Sequence, residues 1–217
     1  MQTEDTVRQE ILRGFLFFLY NGLSFFAAGS LYRTESAFDR KRERRKTVDA
    51  DFFLIQKMKR GDEAAIELFV RKYYPLILNY CRYHTYIGGT AEDLAQETFE
   101  RFFRSFASYR HSGKLANYLY VIAGNLCRDS MKKRRDMLPG ELPDPGEDPL
   151  DAVEGRLDLE RAVKKLPEEM REVIILHYFQ HLKIREVAEI TGIGLPLAKY
   201  RLRKAKTMLK AYLGEEE

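Results

Sequence analysis

Six basic side chains, Lys199, Arg201, Arg203, Lys204, Lys206 and Lys210, fall within twelve residues that contain no acid. Charges at that density displace counterions from a phosphate backbone, and an Arg among them can also donate two hydrogen bonds to a guanine edge. A second group has the opposite sign. Asp93, Gln96, Glu97 and Glu100 recur at i, i+3, i+4 and i+7, which is one face of a helix. Such a stripe repels DNA and suits a basic protein surface. Groups that could do covalent or metal chemistry are sparse. His177 and His181 are four apart, but no HExxH glutamate lies between them and no third ligand is in sight; Cys81 and His84 lack partners at finger spacing. There is no Gly-rich phosphate loop and no triad-like pattern. Binding is therefore expected rather than catalysis, with no cofactor and no metal.

The elements that carry these groups read as helices throughout. From Asp51 onward apolar residues recur at helical spacing with no sustained alternation, so an all-α fold is expected. Asp62 caps a helix whose inward face runs Ile66, Phe69, Val70, Tyr73, Ile77, Tyr80 and Cys81, with Pro75 as a kink and Gly88 and Gly89 as its end. Thr90 and Asp93 make a capping-box-like start to the acidic helix, which turns Leu94, Phe99, Phe102, Phe103 and Phe106 inward. After a break at Ser112 and Gly113, Leu115, Tyr118, Leu119, Ile122 and Leu126 define a helix that ends in Lys132, Lys133, Arg134 and Arg135. Near the C-terminus, Pro167 is placed at a first helical position, followed by a stripe of Met170, Val173, Ile174 and Tyr178. Ile184, Val187 and Ala188, the turn residue Gly192, then Leu197, Ala198 and Leu202 have helix-turn-helix spacing, with Pro196 in the first turn of the basic second helix.

Charge is distributed more tellingly than its total of +4 suggests. Residues 51–136 and 159–217 are net basic. Between them, residues 137–158 hold four prolines, three glycines and seven acids against one Arg, a composition that cannot bury a core and reads as a flexible linker. Two cysteines, both in helix-like stretches, imply no disulfide framework and a cytoplasmic home. Residues 1–50 stand apart. Gly14 to Tyr32 is 19 residues without a charge, about one bilayer crossing, followed by a basic cluster from Arg40 to Lys46 that would hold the rest of the chain on the cytoplasmic side. A membrane contact through residues 14–32 competes with a self-packing helix or an over-extended translation start.

EDLAQETFERFFRSF (Glu92–Phe106) resembles the polymerase-binding core of sigma-70 family proteins, and NYLYVIAGNLCRD (Asn117–Asp129) resembles the promoter-melting helix that follows it. Leu166–Lys206 is similar to the fourth conserved region of that family, and two such regions joined by a short acidic linker match its extracytoplasmic-function group. The resemblance implies a sigma region 2-like domain at 51–136 and a region 4-like domain at 159–217. It further implies that Asp93, Gln96, Glu97 and Glu100 dock on core RNA polymerase, that Asn125, Arg128, Lys132 and Arg135 meet the −10 element of promoter DNA, and that Lys199, Tyr200, Arg201, Arg203, Lys204 and Lys206 meet the −35 element. An anti-sigma factor is a further candidate partner. Departures are Tyr118 where the family usually has Trp, Gly124 where Arg is common, and Leu197, Ala198 and Tyr200 in place of Thr, Val and Ser. A stand-alone helix-turn-helix regulator and a membrane-anchored adaptor are the alternatives, and the acidic stripe counts against the first.

Overall fold

A computed structural model describes residues 50–85, 90–137 and 154–213 of the chain. Gly14–Tyr32, Gly88, Gly89 and all four prolines of the linker lie outside them. Among the described residues every regular element is helical: α1 (Ala50–Lys59), α2 (Glu63–His84), α3 (Thr90–Arg104), a 3-10 turn (Phe106–Ser108), α4 (Leu115–Met137), α5 (Glu154–Lys165), α6 (Glu168–Ile174), a π turn (Ile175–Phe179), α7 (Ile184–Thr191) and α8 (Leu195–Tyr212). None of them is long and apolar enough to cross a membrane.

The chain divides into two compact units, and α2 and α3 each contribute to both. The first unit, within residues 50–73 and 100–115, is an aromatic core. Asp62 accepts the Ala65 N–H at 3.1 Å and so caps α2 as its position predicts. The buried side of α2 then carries Ile66, Phe69, Val70 and Tyr73, and Leu54, Ile55 and Met58 of α1 are buried in the same unit with Phe102, Phe103 and Phe106. Phe69 stacks on Phe102 with centroids 4.9 Å apart and meets Phe103 edge-on at 5.6 Å. Each such ring contributes about 1.5–3 kcal/mol by leaving water. Polar ties close the edges: Tyr73 Oη donates to Asp51 at 2.6 Å, and Lys59 Nζ to the Tyr109 carbonyl at 2.8 Å.

The second unit, within residues 74–99 and 116–213, holds the rest of α2 and α3, most of α4, and α5 to α8. Helix α2 runs on through Pro75 and ends at His84. Helix α5 begins at Glu154, so that its first five residues fall in the stretch 137–158 that composition assigns to the linker, and it buries Ala162 and Val163. The predicted stripe on α6 also needs correction. Val173 and Ile174 are buried, but Tyr178 is 45% exposed, and Ile175 and Leu176 take the inner positions. The π turn at Ile175–Phe179 widens the helix by one residue per turn and rotates the stripe out of its 3.6-residue register.

Helices α7 and α8 form the predicted pair. Glu186 accepts the Lys183 N–H at 2.7 Å at the start of α7, and Gly192 ends it in the left-handed region at φ 68°. Pro196 lies in the first turn of α8, while Ala188, Ala198 and Ala205 are buried. No atom crowds a Cβ built on Gly192, so a side chain there meets only backbone strain. Gly192→Ala is therefore expected to lower stability by about 1–2 kcal/mol, read as a lower urea midpoint.

Candidate nucleic-acid interface

Helix α8 sorts its basic residues by face. Ala198 and Ala205 anchor the buried side, with Arg201 and Leu202 half-buried beside them, while Lys199, Tyr200, Arg203, Lys204 and Lys206 are exposed. At 100° per residue, Tyr200 and Arg203 share the outermost line, with Lys199 and Lys206 on one flank and Lys204 on the other. Arg201 is drawn away from that surface: its guanidinium pairs with Glu169 of α6 at 2.5 Å. The sequence alone did not separate Arg201 from its neighbours, because the partner lies 32 residues earlier.

On α4, Asn125 and Arg128 are exposed and hydrogen-bonded to each other, and Lys132 is exposed one turn further on. Arg135 continues the same i, i+3, i+7, i+10 line on the helix; its side chain is outside what the structure describes. On α3, Asp93 is exposed, with Gln96, Glu97 and Glu100 half-exposed, opposite buried Ala91, Leu94, Ala95, Thr98 and Phe99. Glu100 pairs with Arg104 at 3.5 Å, and Glu92 with Arg82 at 3.0 Å. The acidic and basic stripes are thus surface features, each backed by an apolar side that fixes its helix.

His177 Nδ1 lies 2.7 Å from the Leu182 carbonyl, and His181 takes a positive φ of 55° as the chain leaves the π turn. Among the described residues no group of three or more His, Cys, Asp and Glu could hold a metal ion.

One polar cluster has no counterpart in the reading from sequence. Glu172 of α6 accepts a 2.7 Å hydrogen bond from Tyr80 Oη and lies 3.0 Å from His84 Nε2, close enough for an ion pair although not aligned as a hydrogen bond. Burial raises the Glu172 pKa, but the attraction of the neighbouring His84 imidazole and the hydrogen bond from Tyr80 outweigh it, so the carboxyl sits below its ordinary value. Burial, then the neighbouring Glu172 carboxylate, pushes the Tyr80 hydroxyl well up. In the sequence Glu172 looks like any solvated helix acid. The one local signal was Gly124 in the middle of an otherwise good helix.

Among the described residues the regular elements are all helical, and a basic helix-turn-helix, a second basic helix and a separate acidic face occur together, an arrangement suited to DNA binding. Comparison with known sequences agrees. The family description Sigma-70 region 2 matches residues 69–136, and Sigma-70, region 4 matches residues 156–209. The RNA polymerase sigma factor YlaC of Bacillus subtilis is 33% identical over 156 residues, covering 67% of this chain and 90% of that protein. The ECF RNA polymerase sigma factor SigW of Bacillus subtilis is 28% identical over 181 residues, 73% of this chain and 94% of that one. Among solved structures, the sigma factor RpoE in complex with the anti-sigma factor NepR from Bartonella quintana superposes with a TM-score of 0.60 at 21% identity, covering 70% of this chain and 98% of that one. CnrH in complex with the cytosolic domain of CnrY gives 0.60 at 21%, covering 77% and 99%. The chain belongs to the sigma-70 family of RNA polymerase sigma factors. Within it the chain falls in the extracytoplasmic-function group and directs promoter recognition for core RNA polymerase.

Proposed function

We propose a division of labour among three helix faces. Asp93, Gln96, Glu97 and Glu100 of α3 dock on the coiled-coil clamp helices of the polymerase largest subunit. Asn125, Arg128, Lys132 and Arg135 of α4 hold and open the −10 element, and the outer face of α8 reads the −35 element. The acidic connector follows the basic channel that later carries RNA. The observation that carries this reading is the acidic line on the outer side of α3, set against the basic lines on the outer sides of α4 and α8. A self-sufficient regulator has no use for it. The chain acts by binding, with no chemistry of its own, in the cytoplasm where polymerase works. An anti-sigma protein is a fitting regulator, since the similar RpoE was solved in complex with one.

Capture of promoter DNA by core polymerase tests the division. Promoter fragments should be retained by core plus chain and by neither alone; retention by the chain alone at equal affinity contradicts it. Lys204 and Lys206 are exposed flank positions, so replacing either by Ala should weaken binding to all sequences alike and reduce the salt slope by about 1. A titration across salt concentrations on specific and random duplexes checks this.

A further inference from the structure

Helix α8 carries two large apolar side chains on its wet side. Leu197 is 43% exposed and Tyr200 is 49% exposed, although the helix buries Ala198 between them and so has an inner side to offer. Single apolar residues scattered over a surface are ordinary. These two are not scattered. They lie one turn apart, about 60° around the helix axis and about 4.5 Å along it, within the first two turns of the element. Lys199, Arg203, Lys204 and Lys206 flank them, all exposed, and the first turn of α8 holds no acid.

An apolar pair flanked by cations narrows what can cover it. A second copy of this chain would set the same cations against themselves, and an apolar protein surface would strip water from the charges with nothing to replace it. A surface with anionic rims and an apolar floor meets both demands. The major groove of DNA is such a surface wherever it holds thymine, whose C5-methyl is the one apolar group that a base pair presents there. In a helix-turn-helix the N-terminal residues of the second helix are those that reach base edges, so Leu197 and Tyr200 stand where the floor is read while the cations meet phosphates. The rise of about 4.5 Å between them compares with about 3.4 Å between successive base pairs, which puts neighbouring pairs under the two side chains.

We propose that Leu197 and Tyr200 set part of the promoter preference of this chain by packing on the C5-methyl groups of neighbouring thymines in the upstream element. This specificity deepens, and rests on, the role proposed for α8 as reader of the −35 element.

Uracil in place of thymine removes the methyl group and leaves the pairing edge intact, which isolates the contact. Duplexes randomised over the upstream element are captured on core polymerase with the full chain, and the enriched sequences are remade with uracil at each thymine in turn. At one or two adjacent positions uracil should weaken capture about fourfold, the worth of one methyl group left in water. Leu197→Thr combined with Tyr200→Ser, which puts at both positions the residues more usual in the family, should capture thymine and uracil duplexes alike. Tyr200→Phe keeps the ring and should keep the preference. Helicity should be unchanged in all of them, since both positions are exposed. Equal capture of thymine and uracil duplexes by the parent overturns the methyl contact and leaves α8 standing as the upstream reader. So does a preference that survives the double variant or is lost with Tyr200→Phe. A parent that enriches no upstream sequence contradicts the proposed function, and the methyl contact falls with it.

Discussion

Reversing Asp93 and Glu97 to Lys together should abolish binding to core RNA polymerase while leaving the chain folded. Both sit on the outer side of α3, whose inner side is fixed by Leu94, Ala95, Thr98 and Phe99. Exposed substitutions usually cost within about 0.5 kcal/mol, and a Lys in place of an acid near a helix N-terminus adds about 0.3–1 kcal/mol through the helix dipole. Helicity and thermal midpoint should therefore stay close to the parent. At the interface the change is from attraction to like-charge repulsion at two positions, which costs several kcal/mol, and every 1.4 kcal/mol is about tenfold in affinity. A loss of more than about a hundredfold is expected in a fluorescence titration of core with labelled chain. Unchanged affinity would remove α3 as the dock.

The second large effect belongs to Arg203. It shares the outermost line of α8 with Tyr200, whereas Arg201, two residues earlier, is held by Glu169. Arg203→Ala should relax discrimination at one position of the upstream element by about 1–3 kcal/mol, the worth of a bidentate contact to a base edge. Arg201→Ala should leave base preference intact and act through the loss of its tie to α6. Measuring both variants against a panel of single-base changes separates them. Equal losses on specific and random DNA for Arg203→Ala would make it a phosphate contact only.

Much of this architecture is legible in the sequence because it is local. Helical spacing placed Ile66, Phe69, Val70, Tyr73, Ile77, Tyr80 and Cys81 on one side of α2, and all of them are buried. The same holds for the α3 phenylalanines, and Gly192 takes the positive φ that its place in the turn demands. What was missed depends on partners distant in the chain or on departures from the 3.6-residue period. Tyr178 faces outward because a π turn intervenes, a feature with no simple composition signal. Helix α5 starts at Glu154, inside a window whose acids and prolines dominate its average. Glu172 and Arg201 look like ordinary surface charges until Tyr80, His84 and Glu169 are brought beside them. The acidic line on α3 was legible because all four members belong to one helix; what it docks on comes from family resemblance.

Adding the purified chain to sigma-free core polymerase on genomic DNA tests the central claim most directly. Promoter-specific initiation by the pair predicts a limited set of transcripts with fixed 5′ ends, absent with core alone and lost with the Asp93→Lys and Glu97→Lys variant. Transcription no different from that of core alone would contradict it.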